Sequence, residues 1–539
     1  MNNHPQRILV WFRADLRVHD NPALWSAYQA LLEVRQQGQN DAQLIACFLR
    51  PKQQWQQHDW GNNKQRFVER CLLDLKQCLA EYNIPLLTLD CDDFQAQQAL
   101  LIQLCQQLNC QQLFANEEPE FNERQRDYQL EQQALGLGIS CQFFHDQSLI
   151  PMGQLLKNDG TPYRVYSAFR KRALQYLEQY PVQLVANIPK EAINPDASNL
   201  EASNPEEPNL AVSANQLRVL QLEYQLIQTL ENTGQAKADN GCVHNEVGGQ
   251  LLRYRFFQPQ SYASDPIQQL WPCAELQAIT QLNQFCQDGI GRYANSRDIP
   301  ADSAGTSQLS ALQAAGKLSM KLCWQEAQRV LMTDPGSAES AGRWRDELLW
   351  REFYRHLLVL YPQLCRYQPF KTQTQALAWR DDPEGLSRWQ QGKTGFPLVD
   401  AAMRQLLETG WMHNRLRMLT AVFLSKYLLI DWRQGERWFM QHLVDGDLAS
   451  NNGGWQWAAS TGTDAVPYFR LLSPYRQAER FDAQGEFIAR YVPELQQLPA
   501  KQRIQPKGYV QGYPAPMLDL SEGRIRVLEA FKALQEAEL

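Results

Sequence analysis

No run in this chain approaches the roughly 20 apolar residues needed to span a bilayer, which excludes a helical membrane protein. The first residues, MNNHPQRILVWF, carry neither a long apolar stretch nor a small-residue cleavage site, so no secretory signal is expected. Twelve cysteines occur, but none forms a Cys-x-x-Cys pair and none stands at zinc-like spacing from histidine. Neither a metal site nor a redox dithiol is expected. Cysteines in settings such as LIACFL (44–49) read as small buried hydrophobes, and a reducing cytoplasm is the simplest home. A basic excess is missing too: the formal net charge is −7, which excludes a uniform coat for polyanions but not a local basic face. Finally, no glycine fingerprint follows the first apolar run, LVWFRADLR. The match to Gly-x-Gly-x-x-Ala at Gly289–Ala294 follows a glutamine-rich helical segment instead of a strand, and reads as a turn or helix break. A nucleotide-like cofactor is expected elsewhere.

What is present falls into two halves. At 539 residues the chain exceeds what one core usually organises. Arg7–Phe12, Gln43–Leu49, Ile84–Leu89, Gln111–Phe114 and Ser140–Phe144 read as strands, while Lys64–Tyr82 and Ala96–Leu108 have the 3.6-residue period of helices. Strands spaced by helices predict βαβ units and a parallel sheet. After about Leu276 the strand pattern stops, which predicts an all-helical domain. Between them Asn187–Asn215 has connector composition, Leu217–Leu230 reads as an isolated amphipathic helix, and Lys237–Gly249 as polar linker. The expected division is an α/β domain over 1–145, a connector over 146–275 with an insertion around 187–250, and a helical domain over 276–539.

Nine of the chain's tryptophans lie between Trp344 and Trp457, among Arg343, Arg345, Arg351, Arg355, Arg404, Arg415 and Arg417. Indole is a poor acid, base or nucleophile, but it is large, stackable and oxidisable. Such a set beside Asn, Asp, Arg and Glu points to a π-ligand and one-electron chemistry. Residues three and four apart share a helix face, so Glu347, Trp350, Arg351 and Tyr354 line one stripe, and Asn414, Arg417 and Met418 a second. Asp445 and Asp447 lie on a glycine-containing turn shortly before Asn451.

Four segments carry a resemblance: WFRADLRVHDNPAL (11–24), ELLWREFYRHL (347–357), GWMHNRLRM (410–418) and NNGGWQWAASTGTDAVPYFR (451–470). From Arg7 to about Tyr180, and from about Gln284 almost to the C-terminus, the chain resembles the DNA photolyase/cryptochrome family, and within it the bacterial class I cyclobutane pyrimidine dimer photolyases. The resemblance implies a Rossmann-like domain, a connector, and a helical domain enclosing folded FAD. Tyr293, Thr306, Ser307, Gln308, Leu309 and Ser310 match its adenine- and phosphate-side contacts, the last five as backbone N–H groups entering a helix. Trp344, Arg351, Asp445 and Asp447 match flavin-pocket positions, Arg417 the partner of Asp445, and Asn451 the residue facing flavin N5. Plant photoreceptors of the family tend to carry Asp there and animal members Cys, so Asn implies repair.

For the lesion, the resemblance implies Glu347, Trp350, Asn414, Arg415, Met418 and Trp457, with Arg297 and Gln477 as further DNA contacts. Relatives that repair the (6-4) lesion carry histidine at the position of Asn414, so the cyclobutane dimer is the implied substrate. Trp379, Trp432 and Trp455 match the chain that conducts electrons from the surface to oxidised flavin. His58, Asn122, Glu123, Cys365 and Arg366 match a methenyltetrahydrofolate antenna site; related enzymes often have Lys where Arg366 stands, and a deazaflavin is the competing antenna. The implied partner is UV-damaged DNA, bound structure-specifically by a cytoplasmic monomer with no metal. A cryptochrome-like blue-light receptor without repair activity is the alternative, and a general flavin electron-transfer protein a third reading.

Overall fold

The computed structural model describes residues 5–189, 214–233, 243–247 and 250–536. Its sheet begins with five parallel strands: β1 (Arg7–Phe12), β2 (Gln43–Pro51), β3 (Leu86–Cys91), β4 (Cys110–Asn116) and β5 (Ser140–Phe144). Strand order is β5-β4-β1-β2-β3. Every residue of β1 and β3 is buried, which is why they read as continuous apolar runs; strands covered on both faces need no alternation. The helices Asn62–Ala80 and Phe94–Gln107 follow the expected periodicity, the second capped by the Asp93 side chain accepting from the N–H of Ala96.

Two expectations about the connector are corrected. Val243–Val247 (β6) and Gln250–Phe256 (β7), within and just beyond the stretch read as polar linker, form an antiparallel hairpin that extends the sheet past β3. Edge pairing rescues VHNEV, a segment with little strand signal of its own. The helix Ala214–Thr233 is not isolated either. Leu226 and Leu230 enter the core beside Leu100, Leu101 and Leu104, and Glu223 pairs with Lys76 at 2.8 Å. The remaining connector expectations, at 190–213 and 234–242, lie outside the described residues.

From Pro266 to Glu536 the described residues are helices and turns. Gly289–Ala294 is a helix irregularity, a π-helical turn (Phe285–Gly289) running into a single 3-10 turn, with no strand before it. The two halves are bolted together by buried polar groups. Glu275 accepts from the N–H groups of Val18 and His19 at 2.8 and 2.6 Å, and Lys317 pairs with Asp74. Gly316 (φ +67°) brings its backbone so near Ala14 that a Cβ would lie 2.1 Å from the Ala14 carbonyl oxygen. Lys64 reaches across to donate to the Gly446 carbonyl at 2.7 Å, with its ammonium over the Trp60 ring. That bond fixes the Asp445–Asp447 turn against the α/β half. No helix is long and apolar enough to cross a membrane, and no group of His, Cys, Asp and Glu could hold a metal ion, among the described residues.

Candidate active site

Doubly wound sheets usually bind nucleotides where the strand order reverses, here between β1 and β4. That crevice is occupied by the protein's own charges. Arg13 pairs with Asp127 at 2.6 Å, Arg126 with Glu118 at 2.8 Å, and both guanidiniums lie over the Trp11 ring at 4.6 and 4.5 Å.

The helical half is built differently. The long helix Ala338–Leu360 presents Glu347, Arg351 and Tyr354 on one face, as the spacing predicts. All three are half-buried and keep accessible surface, as does Asp447, so this face borders a recess and not the sealed core. Gly453 keeps the opposite wall close: a Cβ there would strike the Tyr354 ring. Arg351 donates to the Gln147 carbonyl at 2.6 Å, but no carboxylate among the described residues comes within ion-pairing distance. Burial, and then Arg355, push its guanidinium down to about 10. Arg355 takes the available acid, meeting Asp447 at 2.9 Å and the Gln147 amide. Burial works against the Asp447 charge, but Arg355 and Arg351 outweigh it and hold the carboxyl at about 2. This wall is short of negative charge.

Beside it, Arg417 (helix Asn414–Val422) forks onto Asp445 at 2.8 and 3.0 Å, the partner expected for it. Asp447 caps the helix Leu448–Ala459. One turn in, Asn451 donates its amide to the Glu436 carbonyl at 3.0 Å, leaving Oδ1 as the end available to a ligand. Glu436 is buried, pushed up to about 7 by that burial, and bonded to Asn452 at 2.8 Å.

The other expected residues fall around this cavity with some differences. Trp344 and Tyr293 are buried, each packed on Phe285. Thr306–Ser310 leads into a one-turn helix, Ser310–Ala314, with Gln308 in the left-handed region (φ 52°). Gln281 holds the Ser307 and Gln308 carbonyls at 2.9 and 3.3 Å. Glu347 pairs with Arg297 at 2.6 Å; burial raises its carboxyl above the usual range and Arg297 only partly offsets this. Arg415 pairs with Asp298 at 2.6 Å, Asn414 is exposed, and Met418, Trp457 and Gln477 are half-buried. One face of Trp350 is taken: Tyr166 stacks on it at 3.6 Å and 9°.

Trp432 and Trp455 are buried in one core, and Trp379 packs against it. The Trp455 ring contacts are with Trp389 at 6.0 Å and Phe439 at 5.0 Å. In the α/β half, His58 lies 3.4 Å from Glu123 and 3.1 Å from Asn122, and Arg366 covers Phe121 at 4.3 Å on the helix that carries both acid and amide. Cys365 is half-buried beside that helix. The buried Glu123 Oε2 has no hydrogen-bond partner among the described residues. Gln147, Tyr166 and Glu436 were not expected in a site. Each acts through contacts remote in sequence, so no local pattern announces them.

The family model for DNA photolyase matches residues 8–190, and that for the FAD binding domain of DNA photolyase matches 344–533. Deoxyribodipyrimidine photo-lyase of Escherichia coli (strain K12) is 38% identical over 538 residues, covering 98% of this chain and 99% of the relative. Its counterpart in Salmonella typhimurium is 40% identical over the same shares of each chain. Among solved structures, a bacterial class III photolyase from Agrobacterium tumefaciens superposes with a TM-score of 0.77 at 29% identity, covering 99% of both chains. A Synechocystis cryptochrome does so at 0.73 and 25%, covering 98% of this chain and all of the other.

Proposed function

The chain belongs to the DNA photolyase family, and on that premise we propose how its own side chains carry out the light-dependent splitting of cyclobutane pyrimidine dimers in DNA. The enzyme is a carbon–carbon lyase and an FAD flavoprotein. When bound, FAD supplies the electron that light drives into the dimer and that returns after the ring opens, so no net redox change occurs. The residues present suit it. Arg351, enclosed and, among the described residues, without a carboxylate of its own, calls for an anion such as the cofactor's pyrophosphate. We assign Tyr293, Thr306–Ser310, Trp344 and Arg351 to holding the cofactor's adenine and phosphate side. Arg417, Asp445, Asp447 and Asn451 are assigned to its ring system, with Asn451 Oδ1 toward N5.

For the lesion, Trp350 is half-buried and stiffened from behind by Tyr166. With Trp457 and Met418 it forms an apolar clasp, while Asn414 meets the polar edge of a flipped-out dimer. Extrusion costs a few kcal/mol, less at a lesion that already stacks badly. Arg297, Arg415 and Gln477 serve the flanking backbone, fixing register without reading sequence. Glu347 is assigned the donor role. Its acid form can donate a hydrogen bond to a dimer carbonyl, where charge accumulates. Burial raises its carboxyl, and Arg297 opposes that rise in the free protein. A phosphate that recruits Arg297 removes that opposing charge and drives Glu347 further toward its acid form. DNA binding thus arms the donor.

Trp379, Trp432 and Trp455 are assigned to photoreduction of oxidised flavin, a preparatory step. His58, Asn122, Glu123, Cys365 and Arg366 are assigned to a methenyltetrahydrofolate antenna. The unpartnered Glu123 oxygen suits the amino and amide donors of a pterin, and the self-filled β1/β4 crevice speaks against a deazaflavin lodged in the sheet. We retain 1–145, 146–275 and 276–539 as antenna side, connector and flavin–DNA side of a monomeric, cytoplasmic enzyme. The observation that carries the reading is one helix face, where Arg351 calls for an anion four residues from a protonatable Glu347. The test is reduced, FAD-loaded protein with dimer-bearing DNA under blue light, scored for restored thymine. Restoration well above the dark control is expected; none would favour a blue-light receptor.

A further inference from the structure

Lys64 is 7% exposed, on the helix Asn62–Ala80 of the α/β half, and no carboxylate among the described residues pairs with it. It donates across the domain boundary to the Gly446 carbonyl at 2.7 Å, and its ammonium lies 3.5 Å from the centre of the Trp60 ring. Burial lowers that ammonium to about 8, although Asp447, Glu120 and Glu118 favour the charge; Arg355 opposes it. A second lysine at this boundary shows the contrast: Lys317 is as deeply buried and has Asp74 as its ion-pair partner. An apolar side chain would fill the Lys64 site with no charge to desolvate. Bracing a turn does not by itself account for a cation there.

What Lys64 grips is one peptide unit of the Asp445–Asp447 turn. Its neighbour Asn63 holds the His442 carbonyl at 2.7 Å, so the start of this helix is fastened twice to the chain around that turn. The peptide is trans, which directs its N–H opposite to its carbonyl. The Asp447 N–H therefore points away from Lys64, and among the described residues it meets no acceptor. A cation on the oxygen of an amide polarises the whole unit and makes its N–H a stronger donor. Ammonium and N–H thus favour negative charge on the same side of the turn. The reduced flavin ring carries a negative charge that the oxidised ring lacks. We propose that Lys64 is a positioning residue for that charge, acting through the Gly446–Asp447 peptide to raise the potential of bound FAD and so favour the reduced form that donates the electron. This rests on the assignment of Asp445 and Asp447 to the flavin ring system.

The test uses FAD-loaded protein carrying Lys64→Met or Lys64→Gln at neutral pH. Spectroelectrochemistry reads the potential of the last one-electron step of flavin reduction, with FAD titration and denaturation alongside. Lys64→Met should melt no lower and bind oxidised FAD nearly as tightly as the unsubstituted protein, because an apolar replacement of similar volume removes only a buried charge. Its potential should fall by about 59 mV, the equivalent of a tenfold change in a one-electron equilibrium. Lys64→Gln keeps a donor for the Gly446 carbonyl without the charge, so its potential should fall almost as far. A potential unchanged in both variants would overturn the inference. So would a glutamine variant that restores the unsubstituted value where methionine does not, since Lys64 would then be only a brace for the turn. An unsubstituted protein that takes up no FAD would instead overturn the reading of the site.

Discussion

The β1/β4 crevice and the helical cavity both gather arginines over aromatic rings, and they differ in how the charge is settled. In the crevice each guanidinium has its carboxylate: Arg13 with Asp127, Arg126 with Glu118, both over Trp11. In the cavity Arg351 has, among the described residues, only a carbonyl, and Glu347 has a partner, Arg297, that a phosphate could recruit. A buried charge needs a partner from somewhere. Where the protein provides it, the site is structural; where it does not, the ligand completes the site. The fold's usual nucleotide position has become a core, and binding has moved to the other half.

That contrast can be broken first with two matched substitutions. Arg13→Met leaves Arg126 as the one cation facing both Asp127 and Glu118 and should cost about 3 kcal/mol of stability, with FAD affinity of the folded molecules unchanged. Arg351→Met should leave denaturation nearly unaltered and weaken FAD binding on the order of 100-fold, as expected for losing charge-assisted hydrogen bonds. Denaturation midpoints and flavin titration read the two. Reversed outcomes would mean the labels structural and ligand-completed were exchanged.

Glu347 sharpens the same comparison inside the cavity. Glu347→Ala should lower repair yield about tenfold while flavin stays bound, the effect of one lost hydrogen bond to a charged group. The pH dependence has a definite sign. Burial raises the Glu347 carboxyl, so the donating acid form is present at low pH and disappears as pH rises through that raised value. Repair should fall with rising pH in the unsubstituted protein. Glu347→Gln, whose amide donates at every pH, should flatten the profile.

Much of this was legible in the chain. Arg7–Phe12 and Ser140–Phe144 are strands at the expected limits because strong local patterns agree with their place in the sheet. The Glu347, Arg351 and Tyr354 stripe follows from helical spacing alone. The β6–β7 hairpin was not legible, since VHNEV pairs through an edge that β3 provides from far away in sequence. Gln147 gripping Arg351 and Arg355, and Tyr166 behind Trp350, depend on the same kind of remote approach. Trp389, in contact with Trp455, differs from its neighbours in no local feature.

Two smaller effects extend the contrast to the aromatic core and the α/β half. Trp379→Phe should slow photoreduction of oxidised flavin, followed by absorbance, while repair by pre-reduced enzyme is spared; equal damage to both would contradict the wiring assignment. Glu123→Gln should weaken folate retention about tenfold without displacing FAD, because it alters the one unpartnered buried oxygen of that site. Equilibrium dialysis with methenyltetrahydrofolate measures it.

The central claim is that the cavity holds the flavin and an extruded dimer close enough for electron exchange. Its most direct measurement is the fluorescence lifetime of reduced, FAD-loaded protein saturated with DNA, with and without a cyclobutane dimer in the strand. The account predicts a marked shortening with dimer-bearing DNA and none with undamaged DNA of the same sequence. A lifetime that ignores the dimer, although the DNA is bound, would contradict it.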